Sequence, residues 1–419
     1  MEYLDPDFDG LPKEWTIRPL TDVAEIHNTR RAPLNARERE NKKGVYPYCG
    51  ANGVVDSIDE YRFDGEYVLI AEDGGYWGKL EPSSYVMRGK FWVNNHAHVI
   101  RGKAGIANNL FLCCLLSFMD IAPLIGGDAR GKLTKSILER LPMVTPPFPE
   151  QQKIAAVLGL VQRAIEQQER LIELTTELKK ALLHKLFTEG LRGEPQKQTE
   201  IGPVPQTWEL MTLGSLAKIG NGSTPKRSNA GYWKDGAIPW LNSTKIHELF
   251  ISKADQFVTD LAVKECHLPQ VKPGSLLIAI TGQGKTLGNS ALVLFETCIN
   301  QHLAYAQFST TKVLPEFVLW FMQTRYDHLR SISQAGGSTK GALTCGYLKS
   351  YPIVVPSLEE QREIADVFNA LDRKQKAHKQ KSAVFTDLFR TFLHQLMTAQ
   401  IRVNDLELHE LLADARAVA

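Results

Sequence analysis

At 419 residues the chain is too long for one ordinary hydrophobic core, so two or three domains are expected. Its apolar fraction of 43% and charged fraction of 23% are typical of a soluble globular protein, and its longest apolar runs are too short to cross a membrane. The net charge of +2 requires any basic surface for nucleic acid to be local. Six cysteines without a C-x-x-C, and an acidic start unlike a signal peptide, predict reduced thiols and a cytoplasmic location.

The sequence contains two copies of one unit. The first opens with "LPKEWTIRPLTDVAEI" and the second with "VPQTWELMTLGSLAKI", at an offset of 193 residues. "VNNH" at 93–96 matches "INQH" at 299–302, at an offset of 206. The ends, from Leu133 and from Leu343, align without a gap at an offset of 210. The copies therefore agree at their beginnings and ends and differ in the lengths of the loops between.

Each copy begins with a head rich in Gly, Pro, Asn and short β-type runs such as "EYVLIA" and "SLLIAI", which predicts mixed α/β structure. Several basic pairs are candidates for a local DNA-binding surface, although each alone is more typical of a solvated face. In the first head these candidates are Arg30, Arg31, Lys42 and Lys43.

One loop resembles a phosphate-binding loop. "AITGQGKT" at 279–286 nearly satisfies G-x-x-x-x-G-K-[ST], with Ala279 in place of the first glycine. A phosphate loop must open a helix, but a strand-like run follows here, and the twin loop in the first copy has no Gly-Lys-Thr. A strand–loop–strand turn is favoured, and an NTPase remains the enzyme alternative. As a hypothesis, the loop and its twin face DNA through Thr281, Gln283, Lys285, Thr286 and Lys79.

Further candidates lie in a second pair of Gly-rich loops. "GGDARGKLT" at 126–134 and "GGSTKGALT" at 336–344 suit contact with a DNA backbone, although a plain turn is the alternative. The candidate residues in these loops, and in "GNGSTPKRSN" at 220–229, are Arg130, Lys132, Lys340, Thr224, Lys226 and Arg227.

Two other patterns are judged to be misleading. His96 and His98 are expected on one face of a strand, but no third ligand for zinc is evident, and the match of His96 with His302 favours a structural role. "TPPF" at 145–148 resembles an amino-methyltransferase motif, but Thr145 lacks the amide or carboxylate that such chemistry needs. These prolines are expected to end the head and begin a helix.

Each copy ends in a long segment without proline, 150–189 and 359–400, whose apolar residues follow a heptad-like spacing over much of its length. Two helices of this length, each about 60 Å long, cannot be buried alone. They are expected to pack on each other as an antiparallel coiled coil, with the polar middle of one near Gln167–Gln168 of the other, and with the repeats related by a pseudo-twofold axis. Heads on such a spacer could lie one turn of DNA apart, roughly 34–36 Å, or more.

Together these features resemble the specificity subunit of type I restriction–modification systems. The resemblance rests on the two P-x-x-W openings, on "GNGSTPKRSNAGYWKDGAIPWL" at 220–241, and on the exits "LPMVTPPFPEQQKIA" and "YPIVVPSLEEQREIA". It covers almost the whole chain apart from residues 401–419. One departure is Pro149, where the second copy has Glu359, and a small shift of the helix start is expected there.

The resemblance implies an α+β protein with two target recognition domains, each reading one half of a split double-stranded DNA sequence. It implies no catalytic residue and no bound metal or cofactor in this chain. Two modification subunits would carry S-adenosylmethionine, and restriction subunits, also expected to be two, would use ATP and Mg²⁺. No membrane partner is implied. The binding-class alternative is a repeat-built scaffold whose heads bind proteins.

The expected boundaries follow from the repeat. They are a first recognition domain at 1–149, a helix at 150–193, a second recognition domain at 194–357, a helix at 358–400 and a tail at 401–419.

Overall fold

The computed structural model describes residue 8 and residues 10–125, 131–282, 285–335 and 342–403, apart from the side chains of 333–335. The chain forms two compact units. Unit 1 combines Met1–Arg170 with His378–Ala419, and unit 2 is Leu171–Ala377. Each unit therefore holds one head together with half of each long helix. We refer to the described residues before Phe148 as head 1, and to those between the two long helices as head 2.

Head 1 contains four short helices and ten strands. The helices are α1 (Leu20–Val23), α2 (Ala36–Asn41), α3 (Asn109–Phe118) and α4 (Lys135–Arg140). The strands are β1 (Thr16–Pro19), β2 (Ala24–Ile26), β3 (Lys43–Gly50), β4 (Gly53–Ile58), β5 (Phe63–Asp64), β6 (Tyr67–Ala71), β7 (Ser84–Met87), β8 (Lys90–Val93), β9 (Ala97–Gly102) and β10 (Pro142–Thr145).

Strand β6 lies at the centre of head 1. Sheet β2-β9-β6-β7 contains it, and a second sheet, β4-β3-β8-β5, includes the parallel pair β3–β8. Every side chain of β6 is buried, because successive residues point to opposite faces and both faces are covered. Val68 and Ile70 pack in the core that includes α3, whereas Tyr67 and Leu69 pack with Phe91 of β8. The apolar run "YVLIA" thus forms a strand between a helix layer and a second sheet.

Head 2 repeats this plan. Its helices are α6 (Leu213–Leu216), α7 (Asp260–Glu265), α8 (Pro315–Thr324), α9 (Tyr326–Ala335) and α10 (Cys345–Ser350). Its strands are β11 (Gln196–Thr199), β12 (Gly202–Pro205), β13 (Glu209–Thr212), β14 (Ala217–Asn221), β15 (Ile238–Leu241), β16 (Phe250–Ile251), β17 (Gln256–Val258), β18 (Leu276–Ala279), β19 (Ser290–Val293), β20 (Cys298–Ile299), β21 (Leu303–Phe308) and β22 (Pro352–Val355).

The sheets of the two heads correspond. Sheet β14-β21-β18-β19-β16 matches β2-β9-β6-β7 with one strand added, and β17-β15-β20 keeps the parallel central pair of its counterpart. β18 is buried on both faces, as β6 is: Leu276 and Ile278 face the core of α8, and Leu277 and Ala279 face the opposite cluster. In each head the strand that opens the copy pairs with the strand that ends it, β1 with β10 and β13 with β22.

The long helices are α5 (Phe148–Glu189) and α11 (Leu358–Met397). The predicted shift at Pro149 is wrong, since both helices begin at equivalent positions and proline is tolerated in a first helical turn. The predicted ends, 193 and 400, are also corrected. α5 stops where Gly190 adopts φ +68, and α11 stops shortly before Ala399, which adopts φ +56. Backbone in this left-handed region ends a helix.

The two helices run antiparallel within each unit, as predicted. In unit 1 the Gln168 amide meets His378 at 2.8 Å, so the polar middle of α5 does face α11. In unit 2 Gln375 donates to Thr176 at 2.6 Å, and Phe187 stacks on Phe368 at a ring distance of 6.1 Å. Residues nearer the end of α5 therefore contact residues nearer the start of α11, which is the pattern of an antiparallel pair. Two α/β heads joined by two long helices, the predicted architecture, are confirmed.

A buried glutamine joins each long helix to its head. Gln151 has no exposed surface; it accepts from the Asn108 backbone at 3.0 Å and donates to the carbonyls of Ile106 and Pro146, both at 2.9 Å. Gln361 is equally buried and makes the same three bonds, to Leu314, Lys312 and Pro356. Both amides thus use their donor and acceptor groups to fix a helix start against a loop of the head.

A hydrogen bond between a tryptophan and a glutamate, next to each buried glutamine, is also present in both units. The indole of Trp15 donates to Glu150 at 3.1 Å, and the indole of Trp208 donates to Glu360 at 3.0 Å. The tryptophans of the P-x-x-W openings therefore bind the glutamates of the helix starts. Within the described residues, none of the helices combines the length and apolar character needed to span a bilayer.

Candidate nucleic-acid interface

In each head two loops and a turn meet at one end of the central sheet. In head 1 the Glu72 N–H, after β6, donates to the His96 carbonyl at 2.8 Å. The Leu133 N–H, in the Gly-rich segment before α4, donates to the Glu72 carbonyl, also at 2.8 Å. Asp73 and Lys132 form an isolated strand-like bridge beside this contact. The loop after β6 and the segment before α4, both predicted to face DNA, therefore lie side by side.

Head 2 builds the same meeting point from different residues. The Ile280 N–H donates to the His302 carbonyl at 3.0 Å, and the Leu343 N–H donates to the Ile280 carbonyl at 2.8 Å. Thr281 and Ala342 form the equivalent bridge. The backbone arrangement is thus shared by the two heads, while the side chains that it carries differ in charge and size.

The side chains in head 1 form cluster 1, defined as Arg31, Glu72, Asp73, His96 and Lys132. Glu72 is at its centre: Arg31 contacts one carboxylate oxygen at 2.5 Å and Lys132 the other at 3.0 Å. His96 meets Asp73 at 2.7 Å. Burial raises the pKa of Glu72, but the bonds from Arg31 and Lys132 outweigh it, so the pKa lies below its ordinary value.

The equivalent cluster 2 in head 2, defined as Thr224, Thr281, Gln301 and His302, carries no carboxylate. Thr224 donates to the Gln301 amide, Thr281 shares a hydrogen bond with His302, and the Gln301 and His302 side chains are 3.3 Å apart. Cluster 2 offers an amide, two hydroxyls and an imidazole, which are groups that read base edges, whereas cluster 1 offers ion pairs.

The loop after β18 in head 2 adds further polar groups. His247 meets Thr286 and Asn289 at 3.3 Å each, and the side chain of Lys285 is exposed. The Ala279 and Gly288 backbones bond at 2.9 Å, so the loop closes as a hairpin that enters β19. A phosphate loop would open a helix at this point.

The other basic candidates of head 1 are engaged by protein groups. Arg30 binds the Tyr67 hydroxyl and the Arg62 carbonyl and lies 4.6 Å from the Phe63 ring centroid. Lys42 pairs with Glu60 at 3.0 Å, Lys43 pairs with Asp56 at 2.9 Å, and the Lys79 ammonium lies 5.4 Å from the ring centroid of Phe118. None of these four belongs to cluster 1.

In head 2 Arg227 is held outside cluster 2. Its guanidinium lies 3.8 Å from the ring centroid of Trp233 and 5.0 Å from that of Trp240, and it donates to Gln256 at 2.6 Å. Neighbouring Lys226 is exposed. Three candidates, Arg130, Gln283 and Lys340, lie outside the described residues.

Some sequence expectations need correction. His96 and His98 do not share a face. His96 is half exposed in the turn before β9, whereas the ring of His98, 1% exposed, donates to the Leu133 carbonyl and accepts from the Asn28 amide inside head 1. Burial lowers the pKa of His98. Among the described residues, no group of three His, Cys, Asp or Glu side chains could hold a metal ion.

Sequence reasoning did not single out Glu72, Gln301 or His247. Gln301 is inside the "INQH" segment and Glu72 directly follows the β-type run "EYVLIA", so comparison of the two copies could have found both. His247 comes close to the loop only through the fold, and no local pattern marks it.

The chain is similar to proteins of one known family. The model of the type I restriction modification DNA specificity domain matches residues 12–176 and again 205–385. A putative type I restriction enzyme specificity subunit of Haemophilus influenzae is 29% identical, with 88% of this chain and 90% of the relative covered. The putative MjaX specificity subunit of Methanocaldococcus jannaschii is 24% identical, with 94% and 95% covered.

A solved structure has a similar fold. The crystal structure of a type I restriction-modification S subunit from M. genitalium matches with a TM-score of 0.66 and 16% identity, covering 94% of this chain and 99% of that one. The two matched domains account for the two heads and most of both helices. The chain therefore belongs to the family of type I restriction–modification specificity subunits.

Proposed function

We propose that this specificity subunit binds a bipartite double-stranded DNA target, one half-site per head, and docks modification and restriction subunits in the cytoplasm. It supplies sequence recognition and no catalytic residue. S-adenosylmethionine, ATP and Mg²⁺ belong to the partner subunits, of which two of each kind are expected. The chain is thus the part of the complex that selects the DNA sequence.

One observation carries the proposal: the two heads share a backbone arrangement and differ in the side chains on it. Glu72 and Lys132 of cluster 1 correspond to Ile280 and Ala342 beside cluster 2, although the backbone bonds are the same. To read two different half-sites in the same orientation, the heads need the same backbone scaffold with different polar side chains on it. A duplicated scaffold for one ligand would not need this difference.

The helices support docking of partners. Leu171, Leu174 and Leu178 of α5 are 37–49% exposed at a spacing that places them along one stripe. On α11 Val384 is 63% and Leu388 38% exposed. Long exposed apolar stripes mark protein–protein contact surfaces.

The first experiment is a base-resolution map of methylated bases in the host genome, with this gene intact and with it disrupted. The expected result is loss of methylation at one split motif, two short halves around a fixed gap, with all other motifs unchanged. Complementation by the wild-type gene should restore that motif. Unchanged methylation in a host shown to express the modification subunit would contradict DNA targeting by this chain.

A further inference from the structure

A cavity of about 560 Å³ opens in unit 1 between head 1 and the two long helices. It is lined by Cys113 and Cys114 of α3, by Gly159 of α5 and by Phe389 of α11. A second cavity adjoins it, because the two share Arg88, Leu110 and Arg163 as lining residues. This volume is in the range of pockets that hold a ligand group.

Unit 2 fills the equivalent space with its own side chain. Trp320 of α8 is completely buried, and its indole donates to Asn369 of α11 at 3.0 Å. The Lys179 ammonium of α5 lies 4.5 Å from the Trp320 ring centroid and pairs with Asp372 at 3.4 Å. A tryptophan, capped by an ion pair, thus closes the junction between head 2 and the helices.

The repeat explains the difference residue by residue. At the offset of 206, Cys114 corresponds to Trp320, and at the offset of 210, Gly159 corresponds to Asn369. The indole and the amide that bonds it are therefore both missing in unit 1. Ser117 likewise corresponds to Gln323, whose amide donates to Ser290 at 3.0 Å and 3.1 Å. In unit 1 the smaller Cys114, Ser117 and Gly159 all line the cavity, and Leu110 fills the space directly above Gly159.

The form of the cavity indicates a protein segment as its occupant. The two adjoining cavities together extend along α5 from Pro149 to Glu166. At a rise of 1.5 Å per residue this is a length of about 25 Å. Apolar groups such as Leu110, Phe389 and Leu393 line it, and Arg163 and Arg390 add exposed donors. Glu81 and Glu166 add acidic groups. A groove of this length, with apolar groups among charged ones, suits a helix or strand that inserts one large side chain.

We propose that this cavity receives an aromatic side chain of the modification subunit, supplied in trans where unit 2 supplies Trp320 in cis. This rests on the proposed function, because it requires that modification subunits dock on the chain. The two units then bind their modification subunits differently: unit 1 through an inserted aromatic anchor, and unit 2 through its closed outer surface.

The test fills the cavity with the residues that unit 2 uses. Ser117→Gln adds an amide within reach of Ser84, as Gln323 reaches Ser290, and Cys114→Trp adds the indole itself. We expect each to weaken binding of the modification subunit by about tenfold or more, as loss of an interface anchor does. Native mass spectrometry of the full chain with the co-expressed modification subunit should show one bound copy where the wild type shows two.

The controls separate cavity filling from misfolding and from failure of the proposed function. Ser215→Gln makes the same change at an exposed site of unit 2 and should leave both copies bound. Thermal unfolding identifies a misfolded Cys114→Trp, and Ser117→Gln then carries the test. Wild-type assembly by a folded Ser117→Gln would overturn the cavity proposal alone. A wild-type chain that binds no modification subunit would overturn the proposed docking and this proposal together.

Discussion

Glu72 determines how two of the candidate DNA-contacting cations are held in head 1. Its side chain is 13% exposed, and both of its oxygens are occupied, one by Arg31 and one by Lys132. Removing one partner of a largely buried ion pair leaves the others uncompensated. Glu72 therefore helps to position Lys132 and, together with the Asn28 and Ala97 carbonyls, Arg31.

Glu72→Gln should destabilise unit 1 by about 2 kcal/mol at neutral pH. Because the pKa of Glu72 is lowered in the folded state, its stabilising effect is complete above its unfolded pKa, about 4.3, and is lost as the pH falls through the folded value. The difference between wild type and variant should therefore shrink below about pH 4. Urea unfolding at pH 7 and pH 3.5 measures it. Exposed Glu60→Gln is the control, with about 0.5 kcal/mol or less expected. A difference independent of pH would count against this account.

Lys285→Ala should weaken DNA binding and reduce the steepness of its salt dependence by about one unit, as loss of one phosphate contact does. Lys312→Ala is the matched control. Lys312 is also exposed, but it comes after the end of β21, whereas His302 of cluster 2 comes just before the start of that strand. Fluorescence anisotropy over a salt series, with a duplex carrying the methylated motif, measures both. Equal affinities at moderate salt for Lys285→Ala and wild type would remove this loop from the interface.

At the scale of elements, the join between each head and its helix repeats most closely. Gln151 and Gln361 make corresponding bonds, and Glu150 and Glu360 each accept from a tryptophan. The remaining oxygen of Glu150 accepts from Arg402 at 2.8 Å, and the remaining oxygen of Glu360 accepts from the Leu191 backbone at 3.3 Å. The chain after each long helix thus returns to the start of the other.

Gln151→Leu should destabilise unit 1 by about 2–4 kcal/mol, because it leaves one N–H and two carbonyls, all buried or partly buried, without partners. Gln361→Leu should do the same in unit 2. Exposed Gln152→Leu, with an identical change one residue away, should alter stability by about 0.5 kcal/mol or less. Chemical denaturation compares them. Equal stabilities of the variants at 151 and 152 would show that these buried bonds contribute little.

Sequence patterns predicted the secondary-structure elements more accurately than they predicted the contacts between side chains. The two helices followed from the absence of proline and the heptad-like spacing, because such signals are local. The two exits share Glu150–Gln151 and Glu360–Gln361, but a repeat reveals only that a residue is shared, not that Gln151 donates to the Ile106 carbonyl. The placement of His98 inside head 1 was missed, because one alternating segment cannot show which face of a strand is covered.

At the scale of the whole molecule, unit 1 is discontinuous. Its core combines head 1 with the last turns of α11, including Leu393, Leu396 and Met397. Unit 2, by contrast, is a continuous stretch of chain. The repeat unit of the sequence and the compact unit of the structure therefore differ, because each head packs against the helix half that belongs to the other copy.

Truncation after Ala377 should unfold head 1 and spare unit 2. Each large apolar side chain lost from a core costs about 2–5 kcal/mol. The loss of three or more is therefore comparable to the whole free energy of unfolding of a typical domain, about 5–15 kcal/mol. Hydrogen exchange resolved by peptide should show rapid exchange in β6 and β9 and protection in β18 and β21. A chain ending at Val403 is the control and should protect all four strands. Full protection of β6 in the shorter chain would refute the dependence.

The discontinuity of unit 1 also sets an order of events during synthesis. A ribosome completes residues 171–377 before it reaches the end of α11, so the unit that is second in the sequence is the first that can finish folding. At about 5–20 residues per second, the N-terminal head waits on the order of 10–50 s for its last helix turns. Throughout that interval its apolar face against α11 lacks its cover, which makes the nascent first half the part of the molecule most in need of a chaperone.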